Sequence, residues 1–171
     1  PSDTRFPLVF LKNENPNDSD STVKRLASFF VSQLDFYLQL EPENSELEIF
    51  SALFSSGENK NRILKSFSAK GFKHPLYAQE ALSENLISEQ EAVDYIFEFA
   101  DEKIDYEIFK NFILQLSEND SCDNVKKRLE AFSGSFSFDT DNDGIENLIV
   151  KFSRGRPQEI SFDENQNGEL E

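Results

Sequence analysis

The chain has 171 residues, which is enough for one domain with a real core or for a medium domain with a small appendage. An apolar content of 37% and 18 phenylalanines indicate a globular protein, because a disordered acidic chain would lack aromatic side chains to bury. A net charge of −16 argues against nucleic acid and anionic lipid as partners. One cysteine excludes an internal disulfide, and no run of about 18 apolar residues is present to enter a membrane.

The two ends of the sequence indicate a piece of a longer protein. The chain begins at Pro1, contains no methionine and ends at Glu171 within a motif described below. A signal peptide or lipid anchor would be missing from such a piece. Residues 1–20 hold an apolar run, Leu8–Leu11, and then a polar tract, which predicts an N-terminal strand or docking segment followed by a linker.

Apolar residues at helical spacing predict a helical domain over residues 21–133. Its first helix is predicted to begin at Ser21 or Thr22 and to end before Pro42. Three helical hairpins follow, with starts at residues 45, 75 and 105. The predicted helices of these hairpins are 45–56, 60–70, 75–86, 88 onwards, 105–116 and 121–132.

Capping residues define several of these helix starts. Asn44 or Ser45 is predicted to cap the second helix, and Asp105 the sixth. Ser88 and Glu91 have the spacing of a capping box, in which each side chain satisfies an amide at the helix start. Glycines mark helix ends, because they are suited to the left-handed backbone conformation found there. Those glycines are Gly57, Gly71 and Gly134.

Starts 30 residues apart are what stacked helical hairpins require, since each hairpin buries its apolar face only against its neighbours. A faint echo supports a repeat, because Glu48-Ile49-Phe50 recurs as Glu107-Ile108-Phe109. The layout resembles a tetratricopeptide-type α-solenoid, and an irregular helical bundle is the alternative. The many phenylalanines fall at helical spacing and are predicted to form the core.

The periodicity changes after Gly134, and residues 135–171 are predicted to form a β-hairpin segment. Apolar residues alternate at Phe136 and Phe138, again over 148–152, and again in 159–162, with a turn over 154–157. Two acidic loops, 139–147 and 163–171, follow the first and third of these strands in the same register, 24 positions apart. The fold class is therefore mainly α, followed by a small β-hairpin repeat.

The two loops carry oxygen-bearing residues at alternate positions, followed by glycine, which is the pattern that calcium binding requires. Side chains at positions 1, 3, 5 and 9 and the backbone carbonyl at position 7 are the predicted ligands. The side chains of Glu146 and Glu169 are expected to be exposed. Magnesium fits less well because it requires strict octahedral geometry. In the first loop the ligands are Asp139, Asp141, Asp143, Ile145 and Asn147, and in the second they are Asp163, Asn165, Asn167, Glu169 and Glu171.

The first five loop positions resemble those of EF-hand and dockerin loops, but Glu146 and Val150 stand where an EF-hand needs an apolar residue and a bidentate glutamate. The loops are more similar to the D-x-D-x-D-G-x-x-D calcium loops of FG-GAP-like β-propellers. The 24-residue offset is similar to short β-hairpin repeats of bacterial surface or periplasmic proteins. This resemblance implies calcium and a location outside the cytosol. The alternative is that both Asp/Asn-Gly loops are metal-free hairpin turns.

No catalytic constellation is present in the sequence. The lone Cys122 and the lone His74 lie in unrelated segments, and no phosphate-binding glycine loop or nucleophile elbow occurs. A carboxylate pair of the glycosidase type is the remaining enzyme hypothesis. The prediction is therefore a non-catalytic binding or scaffold module of an exported bacterial protein, with a protein partner and a calcium-stabilised β-repeat. A metal-free interaction domain and a calcium-responsive switch are the alternatives.

Overall fold

The computed structural model describes residues 21–99, 103–141 and 146–163. It is mainly α, with seven helices and a four-stranded sheet in the described residues, so the predicted fold class is confirmed. None of the described helices has the length and apolar character needed to cross a membrane. The predicted N-terminal strand and linker, 1–20, lie outside the described residues. The described chain divides into two compact units, 21–74 with 141, and 75–99 with 103–140 and 146–163.

Three helices form the first unit: α1 (Ser21–Leu40), α2 (Ser45–Leu53) and α3 (Gly57–Ala69). The predicted cap is confirmed, because the Asn44 side chain accepts a hydrogen bond from the backbone N–H of Leu47 at 3.1 Å. Helix α3 begins three residues earlier than predicted, directly at Gly57, whose φ is +57°. Lys70 pairs with the buried Glu48 at 2.7 Å. The side chains buried in this unit include Ile49, Ala52, Leu64 and Phe67.

The second unit contains α4 (Leu76–Ser83), α5 (Glu89–Phe97), α6 (Tyr106–Ile113) and α7 (Asn119–Ala131). The predicted capping box is present: Ser88 Oγ accepts from Glu91 N at 3.2 Å, and Ser88 N donates to the Glu91 carboxylate at 2.8 Å. Asp105 caps α6 by accepting from the N–H of Ile108 at 3.0 Å. The predicted helix starts are therefore confirmed where capping side chains specified them.

The sheet of the second unit has the order β1-β2-β3-β4, with β1 (Lys103–Asp105), β2 (Gly134–Phe138), β3 (Leu148–Ser153) and β4 (Arg156–Phe162). The antiparallel pairs β2–β3 and β3–β4 are the hairpins that alternation predicted. Strand β1 was not predicted. It precedes α6 and pairs with β2 in the parallel direction. Three residues are too few to show a periodicity, so only the sheet itself identifies this strand.

Helices and strands of the second unit share one aromatic core. Phe136 of β2 lies 5.1 Å from Phe109 and 5.0 Å from Phe132, measured between ring centroids. Phe152 of β3 joins them, 5.9 Å from Phe136. Phe109, Phe132 and Phe136 are all buried. The expectation that phenylalanines at helical spacing form the core is confirmed for Phe109 and Phe132. It is wrong for Phe29 and Phe36 of α1, which are 57% and 53% exposed.

A two-residue turn joins β3 to β4. Both Arg154 and Gly155 have positive φ, +53° and +71°, which is the pattern of a type I′ hairpin turn. The turn is thus shorter than the predicted 154–157, because Arg156 and Pro157 already pair with β3. Proline is tolerated there because β4 is an outer strand.

Candidate metal loops at one end of the sheet

Three of the ten predicted ligands lie at the same end of neighbouring strands in the second unit. Asp139 directly follows β2, Asn147 directly precedes β3 and Asp163 directly follows β4. The backbone connects these positions, because the N–H of Asn147 donates to the Phe138 carbonyl at 3.0 Å and that of Asp163 donates to the Asn147 carbonyl at 2.9 Å. The sheet register therefore brings the opening aspartates of both repeat copies beside the closing residue of the first loop.

The environments of these residues differ. Asp163 and Asn147 are buried, with 4% and 6% of their surface exposed, whereas Asp139 is half-buried. Asp141 is exposed and belongs to the first unit. The remaining predicted ligands lie outside the described residues: Asp143, Ile145, Asn165, Asn167, Glu169 and Glu171.

The side chain of Asn147 closes the first loop by hydrogen bonding. Its Oδ1 accepts from the backbone N–H of Thr140 at 2.9 Å and from Thr140 Oγ1 at 2.8 Å. An amide oxygen has two lone pairs, so these two bonds occupy it. A cation would have to compete with Thr140 for this atom. No pattern in the sequence indicated this role of Thr140, although threonine hydroxyls commonly form hydrogen bonds within turns.

Glu146, near the end of loop 139–147, is the centre of a second polar cluster. Its carboxylate accepts from Ser137 Oγ at 2.8 Å and pairs with Lys103 Nζ of β1. The side chain is half-buried rather than exposed as expected. Ser137 is 1% exposed, and its hydroxyl holds the Glu146 carboxylate at the end of the loop. Lys103 lies 43 positions from Glu146, and no local pattern in the sequence connects them.

His74 lies in the loop before α4. Its ring makes an edge-to-face contact with Phe50 of the first unit, with centroids 6.0 Å apart. Burial lowers the pKa of His74 to about 4. The imidazole is therefore neutral at physiological pH.

Within the described residues, no three His, Cys, Asp or Glu side chains are grouped closely enough to hold a metal ion. Six of the ten predicted ligands are outside those residues, so the calcium prediction stays a prediction. No protein-family model, curated protein sequence or solved structure matches the chain. The resemblance to calcium-loop repeats and to helical repeats therefore rests on the loop residues and the helix spacing alone.

Proposed function

We propose that the chain is a non-catalytic binding or scaffold module of an exported bacterial protein, with a β-repeat that calcium stabilises. The observation that carries the proposal is that strand pairing places Asp139, Asn147 and Asp163 next to one another at one end of the sheet. Two loops that open there with aspartate supply hard oxygen ligands, which calcium prefers. Calcium is abundant outside the cytosol, which is where a module of this kind would work.

Charge supports calcium over a metal-free loop. Asp139, Asp141 and Asp143 follow one another at alternate positions, and three carboxylates at this sequence spacing in a short loop are expected to repel one another. A divalent cation removes that repulsion and converts it into attraction. The expected effect is to fix loop 139–147 against loop 163–171 and so to stiffen the end of the hairpin sheet.

The proposed partner of the helical region is another protein. Helix α1 exposes Phe29 by 57%, Phe36 by 53% and Leu40 by 63%. Spacings of seven and four residues set these three side chains along one side of the helix. Large apolar side chains along one side of a helix are the pattern by which an amphipathic helix docks into a groove of a protein partner.

Calorimetric titration of calcium into the chelator-stripped chain tests the metal site. The matched pair is Asp141→Ala, which removes a predicted ligand, and Asp123→Ala, which removes an exposed aspartate from α7. Binding of about one ion in the parent and in Asp123→Ala, lost in Asp141→Ala, supports the proposal. Calcium at a hundred times its Kd should then add about 2.7 kcal/mol to the free energy of unfolding. No heat in any of the three proteins, with melting unchanged by chelator, refutes it.

The second candidate is a metal-free interaction domain. It is favoured by the two hydrogen bonds from Thr140 to Asn147, which join the two ends of the first loop through the chain's own atoms. Thr140→Val separates the two candidates, because it removes the hydroxyl donor but none of the predicted calcium ligands. In the metal-free domain this change lowers stability equally with and without calcium. In the calcium-stabilised module, added calcium restores most of the lost stability.

A further inference from the structure

The outer edge of β4 combines exposed apolar side chains with backbone positioned for pairing. Ile160 is 66% exposed and Phe162 is 42% exposed. Both side chains lie on the same face of β4, because they are two residues apart on a strand. β4 is the last strand in the sheet order, and no described strand lies beyond it. Long exposed apolar edges are usually protected or used for binding, because they offer a template for another strand.

The register fixes which residues direct their backbone groups outward. Asp163 donates its N–H to the Asn147 carbonyl, so that pair is a hydrogen-bonded one. Hydrogen-bonded and non-hydrogen-bonded pairs alternate along an antiparallel ladder. The pairs Leu148–Phe162 and Val150–Ile160 are therefore non-hydrogen-bonded, and the N–H and C=O of Ile160 and Phe162 are directed away from β3. The two residues with exposed apolar side chains thus also present the outward backbone groups.

The internal repeat indicates what fits this edge. Phe136 and Phe138 of β2 correspond to Ile160 and Phe162 of β4 at the 24-residue offset. In the sheet, Phe138 pairs with Leu148 and Phe136 pairs with Val150 of β3. A strand with the apolar alternation of β3 is therefore the natural antiparallel neighbour of β4.

We propose that the edge of β4 binds an extended segment of another polypeptide as an added antiparallel strand. The segment has apolar side chains opposite Ile160 and Phe162 and a cationic side chain opposite Glu159. The cation follows from the same template, since Lys151 of β3 pairs with Ser135, which corresponds to Glu159. On its other side Glu159 already makes this kind of cross-strand pair, with Lys151 Nζ 2.9 Å from its carboxylate. This inference rests on the proposed role as a binding module but not on calcium.

Charge favours a separate cationic segment over a second copy of this chain. Two copies would each contribute a net charge of −16. In an antiparallel pair of β4 strands, setting Ile160 opposite Phe162 also sets Glu159 opposite Asp163. Like charges directly opposite each other destabilise a sheet.

The probe is a fluorescein-labelled peptide with the sequence Asn-Leu-Ile-Val-Lys-Phe-Ser, which is that of residues 147–153. Binding to the full chain is measured by fluorescence anisotropy, in calcium and in chelator. Ile160→Lys should weaken binding about tenfold or more, since each factor of ten corresponds to about 1.4 kcal/mol. Leu114→Lys is the matched control, because Leu114 is 74% exposed but lies at the end of α6.

N-methylated peptides test the pairing geometry. Methylation at the peptide's valine, which faces Ile160, should abolish binding, whereas methylation at its isoleucine, which faces away from β4, should be tolerated. Equal tolerance of both methyl groups would overturn the inference. So would the absence of saturable binding, and so would a dimer in sedimentation velocity that Ile160→Lys dissociates, which would identify a second copy as the occupant. Peptide binding without calcium heat would leave this inference intact and refute only the metal site.

Discussion

The turn between β3 and β4 is held against the end of α7, and Gly155 is the residue that permits this approach. Its N–H donates to the Phe132 carbonyl at 2.8 Å, and the N–H of Arg154 donates to Ser133 Oγ at 3.1 Å. A Cβ built on Gly155 would lie 2.5 Å from the carbonyl oxygen of Glu130. That distance is far below van der Waals contact, and the obstructing atom is backbone.

Gly155→Ala should therefore be strongly destabilising for two separable reasons. A positive φ of +71° costs an alanine about 1 kcal/mol relative to glycine. Relieving the collision requires the turn or the end of α7 to move, which costs a further amount of about 1–3 kcal/mol in packed sites. The total, about 2–4 kcal/mol, is a large fraction of the stability of an ordinary domain.

Gly71→Ala is the matched control, because Gly71 has almost the same φ, +70°, and no atom lies within 4 Å of the position that its Cβ would take. It should lose only the conformational term, about 1 kcal/mol. Urea denaturation followed by circular dichroism at 222 nm measures both variants. Equal losses for the two alanines would refute the reasoning, because they would mean that the contact with α7 carries no energetic cost.

Two further predictions concern pH and a tertiary carboxylate contact. Because the pKa of His74 is lowered to about 4 in the folded chain, the unfolded chain binds more protons below pH 6.5, and stability should fall by up to about 3 kcal/mol as the pH drops from 6.5 to 4. His74→Gln should lose this component in urea titrations, and parallel pH profiles of parent and variant would contradict it. Partial burial raises the pKa of Glu89, but hydrogen bonds from Ser117 and Glu118 outweigh it and lower the pKa overall. The stability that Glu89 contributes should therefore be present above the ordinary carboxyl pKa and be lost at lower pH. Glu89→Ala should lower the thermal midpoint at pH 7 more than at pH 3. A difference between parent and variant that does not change with pH would be evidence against this role.

Local signals determined much of the secondary structure. Asn44, Ser88 and Asp105 specify helix starts because their side chains bond amides only three residues away. Alternation specified β2 and β3, whose apolar face packs against the helices through Phe136 and Phe152. It also specified β4, although the alternating side chains of Ile160 and Phe162 are exposed. The metal ligands were predicted from residues within each loop, which is also a local pattern. The pairing of β2, β3 and β4 places Asp139, Asn147 and Asp163 at one end of the sheet.

Contacts between distant positions were decided only by the tertiary structure. β1 exists because β2 pairs with it, and Lys103 meets Glu146 across 43 positions. Thr140 occupies the Asn147 oxygen, and the sequence pattern alone assigned that oxygen to a metal. The sequence predicts Gly155 only as a turn glycine, and the structure shows that the backbone carbonyls of α7 lie against it. Periodicity and capping act over three or four residues, so the sequence alone determined the capped helix starts and the hairpin strands, whereas packing decided β1 and the neighbours of each element.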